Sequence, residues 1–84
     1  MNSVRLDQLP LRQAATVFAV DWDALRPTDA RRLRELGLDE GVEVEALHFG
    51  PFGRDPMACR VGRMTIALRR AHASAISVRP AEAA

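Results

Sequence analysis

Apolar and polar positions run in short alternating blocks from Val4 to Val78, broken once by a stretch of helical period. Val4 and Leu6 alternate with polar neighbours, and Leu9-Pro10 closes a short first strand, since Pro is tolerated only at an edge or a strand end. Ala15-Thr16-Val17-Phe18-Ala19-Val20 is dense in β-branched and aromatic residues. That run predicts a second strand buried on both faces, or one crossing a tightly closed barrel. Asp21-Trp22-Asp23 then reads as a loop, with Trp22 covering one end of the barrel.

The helical stretch is Pro27-Thr28-Asp29-Ala30-Arg31-Arg32-Leu33-Arg34-Glu35-Leu36-Gly37-Leu38. Thr28 suits the N-cap, and Asp29 in the first turn complements the helix dipole. Ala30, Leu33 and Leu36 make one apolar stripe, leaving Arg31, Arg32, Arg34 and Glu35 to face water. Gly37 fits the C′ position of a Schellman ending, which predicts that Leu33 touches Leu38. The helix is about two to three turns long.

Period two returns afterwards. Val42-Glu43-Val44-Glu45 alternates apolar and acidic, then the apolar positions change phase to Leu47 and Phe49, which predicts a bulge or bend after Ala46. Met57, Cys59 and Val61 share a strand face, Gly62-Arg63 is a two-residue hairpin turn, and Met64, Ile66 and Leu68 line the same interior. Arg69 to Ser74 is a single-turn connector, Ile76 and Val78 close the structure, and residues 80–84 form a disordered tail. Between the two central strands lies Gly50-Pro51-Phe52-Gly53-Arg54-Asp55-Pro56, whose turn chemistry carries a large aromatic at its tip. The tally is five or six short strands with one helix between the second and third. It describes a mostly β fold, a small antiparallel barrel with the helix at one end, in one domain over residues 1–79.

Composition changes this picture little. Eighty-four residues bury a small core, so each buried Leu or Val counts. The formal net charge is +1, and all 12 basic residues are Arg, so no strong field draws the chain to nucleic acid or an anionic membrane. A single cysteine, Cys59, excludes a disulfide framework and points to a reducing compartment. No apolar signal-peptide region precedes the first strand, and the longest near-apolar run, 14–20, is too short to span a bilayer. The expected location is the cytoplasm, without membrane insertion.

Candidate chemistry is sparse. His48, His72, Cys59 and the carboxylates have no spacing that presets a metal site, and Cys59 alternates with Met57 and Val61 as a buried thiol would. His48 and His72 are the residues left as candidate ligands for Fe(II) or another divalent transition metal. No nucleophile elbow and no phosphate loop occurs, so the chain is not expected to be an enzyme. Arg31, Arg32, Arg34, Arg60, Arg69 and Arg70 are interleaved with Asp29, Glu35, Glu43 and Glu45, which predicts a mixed solvated surface. With no Tyr, one Trp and three Phe, stacking platforms for single strands and aromatic peptide grooves are also poorly supplied.

Three blocks in order resemble the FeoA family, ferrous iron transport protein A. They are the R-L-x-x-L-G-L-x-x-G run from Arg32 to Gly41, the P-x-G-x-D-P run from Pro51 to Pro56, and the A-L-R-x-x-x-A run from Ala67 to Ala73. The resemblance covers roughly Leu6 to Val78. It implies an SH3-like barrel with an inserted helix, and a cytosolic accessory that acts by contact with the cytoplasmic region of a ferrous iron transporter, a membrane G protein. The same domain occurs behind metal-dependent repressors, so a metal-sensing regulatory domain is the alternative role, and a small nucleic-acid-binding barrel a third. The expected contact residues are Phe52 as apolar anchor, Arg54 and Asp55 as its polar rim, and Arg31 and Arg34 on the helix. Two positions depart from the family pattern. Leu11-Arg12-Gln13 lacks the usual Gly after Leu9-Pro10, and His72 stands where a Glu is usual.

Overall fold

The computed structural model describes residues 3–81. Six strands form a single antiparallel sheet: β1 (Val4–Arg5), β2 (Ala14–Val20), β3 (Glu43–Phe49), β4 (Met57–Val61), β5 (Met64–Leu68) and β6 (Ile76–Pro80). Their order across the sheet is β1-β6-β2-β3-β4-β5. Helix α1 (Pro27–Glu35) joins β2 to β3, and the single turn α2 (Arg70–Ala73) joins β5 to β6. One buried cluster takes Val78 and Val17 from one end of the sheet and Val44, Met57, Cys59, Val61 and Leu68 from the other. A sheet whose distant strands share one core must wrap around it. The expected barrel is present, with β1 and β5 as its hydrogen-bonding edges.

The register shifts that permit this bending lie between Val17 and Ala19 on β2, and between Ala46 and His48 on β3. The second is the bend announced by the phase change after Ala46. The turn before β2 solves the missing-glycine problem with Arg12 itself. Its φ of 67° is left-handed, and its N–H donates to the Ala46 carbonyl at 2.7 Å, beside the bulge. A non-glycine residue in that region costs on the order of 1 kcal/mol, which this hydrogen bond helps to offset.

Several local expectations are corrected. The first strand is shorter than predicted, because Leu6 leaves it for a 3-10 turn over Leu6–Gln8 that buries Leu6 and Asp7. Strand β2 is buried on one face only: Ala15 and Val17 point inward, while Phe18 is 40% exposed under the Arg79 guanidinium, 4.0 Å from its ring centre. An exposed aromatic capped by a cation looks like a core residue in a hydropathy pattern. Met64, placed in the interior by alternation, is 48% exposed, because it ends the edge strand β5, which has Val61 of β4 on one side and no strand on the other. Strand β6 runs through Pro80, which pairs with Ala15, and the Ala81 N–H donates to Ala14. Residues 80 and 81 are therefore joined to the sheet, where a tail was predicted; 82–84 lie outside the described residues.

Helix α1 begins one residue before the predicted cap. Arg26 is the N-cap and Pro27 takes the first helical position, where a missing N–H is harmless and φ is preset. The C-terminal ending follows the predicted pattern. Gly37 has φ 87°, its N–H reaches the Arg34 carbonyl, and the Leu38 N–H reaches the Leu33 carbonyl, both at 3.0 Å. Leu33 and Leu38 are both buried. Trp22, in a 3-10 turn over Trp22–Ala24, packs against the edge of the core with the Arg34 guanidinium 4.2 Å from its ring centre.

Candidate functional site

The loop between β3 and β4 presents Phe52 at its tip, 82% exposed, the largest exposure of any large apolar side chain among the described residues. Its base is held closed. The Gly50 N–H donates to the Pro56 carbonyl at 2.7 Å, and the Asp55 N–H donates to the Phe52 carbonyl at 3.2 Å. The Asp55-Pro56 peptide is cis. Gly53 and Arg54 both take left-handed φ, 63° and 68°, which turns the chain back under the tip.

Asp55 is half-buried, and the loop is tied to α2 through it. Its Oδ1 accepts the Arg70 N–H at 3.0 Å and lies 3.8 Å from Arg69 Nε. Arg70 answers from the other side, with Nη1 donating to the Gly53 carbonyl at 3.3 Å and Nε 3.6 Å from Asp7 Oδ2. Asp7 is the only charged side chain among the buried residues described, 6% exposed, and Arg5 Nε also reaches it at 3.1 Å. The loop, α2 and the N-terminal turn are thus linked through two carboxylates, Asp55 and Asp7, and the Arg70 guanidinium. A buried carboxylate held by two guanidinium groups avoids the desolvation cost that an unpaired one would carry.

The predicted contact residues therefore divide. Phe52 projects freely. Arg54 folds back over Phe49, 4.1 Å from its ring centre, while staying exposed. Asp55 is engaged in holding the loop. Arg31 is exposed on α1, and Arg34 is exposed while stacked on Trp22. Sequence reasoning missed Asp7 and Arg70 as the supports of the loop. The available signal was a lone acid between Leu6 and Leu9, residues that the apolar pattern already placed inside.

His48 is exposed on β3. His72 is half-buried on α2, with Nε2 3.4 Å from Asp29 Oδ2, so it joins α2 to α1. Among the described residues no three His, Cys, Asp or Glu side chains gather as a metal would need. Cys59 is buried on β4, and burial pushes its thiol from the ordinary 9.0 up to about 11, with the Glu45 charge adding to the rise and a backbone hydrogen bond opposing it. Because the folded thiol holds its proton to higher pH than the unfolded one, the associated stability is complete below pH 9 and is lost as pH rises towards 11. Two outcomes follow for Cys59. It should resist alkylation by iodoacetamide at pH 8 until denaturant is added, and the thermal midpoint should fall more steeply above pH 9 in the parent than in Cys59→Ala. Rapid alkylation of the folded protein would contradict the buried placement.

The family model described as the FeoA domain matches residues 4–80. No curated protein matches the sequence. Among solved structures, the zinc complex of Stenotrophomonas maltophilia FeoA is 40% identical, with a TM-score of 0.73 over 89% of this chain and 88% of that one. That protein is described as a prokaryotic SH3 domain protein and a candidate ferrous iron transport activating factor. Chlorobium tepidum FeoA is 34% identical, with a TM-score of 0.80 over 92% of this chain and 70% of that one. IdeR of T. acidophilum has a TM-score of 0.81 at 18% identity, over 96% of this chain and 35% of that one, a likeness of fold alone. In the described residues no helix is long and apolar enough to cross a membrane.

Proposed function

Since the chain belongs to the FeoA domain family, we propose that it is a non-catalytic accessory of ferrous iron transport, working in the cytoplasm by direct contact with the cytoplasmic region of a ferrous iron transporter. The observation that carries this reading is Phe52, a fully presented aromatic on a loop whose base is fastened by Asp55 and Arg70. An apolar side chain held out in water gains most by entering a partner's pocket, and a loop already ordered has little entropy left to lose on docking. Arg54, fixed against Phe49, supplies charge beside the anchor. Arg31 and Arg34 form a second contact on α1. The short α2 joins both areas, reaching the loop through Arg70 and α1 through the His72–Asp29 pair.

Phe52→Ala tests the proposal directly. The variant should keep the parent's circular dichroism and thermal midpoint, since Phe52 contributes little to the core. Retention of the transporter from detergent-solubilised native membranes should fall, with binding weakened about thirtyfold if the ring is a hot spot of ~2 kcal/mol. Uptake of radiolabelled ferrous iron in a complemented deletion strain should fall with it. A normally folded variant that restores full uptake would remove the loop from the contact.

A further inference from the structure

The two edges of the sheet are unlike. Strand β1 is two residues long and gives way at once to a 3-10 turn, the usual way of blunting an edge. Strand β5 is five residues, Met64-Thr65-Ile66-Ala67-Leu68, with no charge, no Pro and no bulge, and it pairs on one side only, with β4.

The register says which backbone groups are free. Val61 and Met64 close the two-residue turn and so bond to each other, which makes Cys59 with Ile66 and Met57 with Leu68 the further bonded pairs. The Gly62 N–H, of opposite parity, accordingly turns away from β5 and donates to the Glu43 carbonyl on β3 at 3.1 Å. The N–H and C=O groups of Thr65 and Ala67 therefore point outward, and among the described residues no backbone hydrogen bond reaches them from a turn or loop. They offer two donors and two acceptors at the spacing of a strand. Beside them, Met64 and half-buried Ile66 leave an open apolar ledge on the inner side.

Charge selects the occupant. Arg63 and Arg69 flank β5, both exposed; among the described residues the ion-pair approach of Arg69 is to Asp55, at 3.8 Å. A second copy paired antiparallel about Ile66 would set Arg63 against Arg69, like against like. We propose that β5 is a strand-addition site for an extended segment of another protein, apolar at alternate positions and acidic at both ends. Its backbone bonds to Thr65 and Ala67, its apolar side chains cover Met64 and Ile66, and its acidic ends meet Arg63 and Arg69. This site is separate from the Phe52 loop and does not depend on it. Because Leu68 lies opposite Met57, directly after the loop, one partner can occupy both.

The test uses the full chain, isotope-labelled, and a synthetic peptide of alternating valine and threonine with aspartates at both ends. A lysine-ended peptide and a scrambled one serve as controls. The aspartate peptide should shift the Thr65 and Ala67 amide signals, slow their hydrogen exchange, and bind more weakly as salt rises. Ala67→Pro deletes one outward N–H without touching the β4 ladder and should weaken binding at least about fivefold. Arg63→Glu leaves the backbone edge intact and should shift preference towards the lysine peptide. The proposal is overturned if millimolar aspartate peptide leaves both amides unmoved, if the lysine peptide binds the parent as well, or if Phe52→Ala abolishes the shifts. It is equally overturned if sedimentation shows the parent dimerising through β5, with Ala67→Pro monomeric.

Discussion

Leu33→Ala should lower the free energy of unfolding by about 3 kcal/mol, as expected for truncating a fully buried leucine. Leu33 is fully buried, and its carbonyl also receives the Leu38 N–H at the helix ending. Truncation removes the apolar contact that accompanies the Schellman ending and leaves a cavity between α1 and the sheet. A domain of this size has roughly 5–15 kcal/mol in total, and small domains sit at the low end. In urea the midpoint should fall by about 2 M at an unchanged slope. A loss below ~1 kcal/mol would mean that α1 is not packed through this stripe.

Gly50→Ala should cost about 1–3 kcal/mol and, unlike Phe52→Ala, should damage stability and partner binding together. Gly50 is required by space. A Cβ there would lie 2.7 Å from the Pro56 carbonyl oxygen and 2.8 Å from that of Asp55, both backbone atoms that cannot rotate away. Relief requires the base of the loop to open. Opening breaks the Gly50–Pro56 bond and draws Asp55 from the Arg70 N–H, so Phe52 loses its fixed position. Hydrogen exchange should quicken at the Gly50 and Arg70 amides while the β2–β6 ladder stays protected. Uniform protection at those amides, with binding intact, would show that the loop tolerates the methyl group and that its closed base is not what presents the aromatic.

These two variants divide the role of the loop into its parts. Phe52→Ala takes away contact area and leaves the geometry; Gly50→Ala keeps the aromatic and loosens its support. If binding follows Phe52 alone, the ring is the anchor. If Gly50→Ala costs as much, fixed presentation is part of the affinity, because disorder at the tip must then be removed on docking.

Local chemistry alone determined a good deal of this protein. Period-two alternation with Gly turns specified antiparallel strands β3 to β5, the phase change after Ala46 marked the bulge, and Leu36-Gly37-Leu38 specified the helix ending, since each depends on residues close in sequence. The ordered blocks from Arg32 to Ala73 carried the family. Tertiary structure decided the remainder. Phe18 and Met64 look like core residues by hydropathy, yet one lies outside under Arg79 and the other on an edge, because exposure depends on which strand lies alongside. Arg12 took a glycine's conformation since the Ala46 carbonyl lay within reach. The loop shows the same division. Its turn residues are legible in order, but the bonds that hold Phe52 outward run from Asp55 and Gly53 to Arg70, and from Arg70 to Asp7, residues separated along the chain and joined only when the sheet wraps around its core.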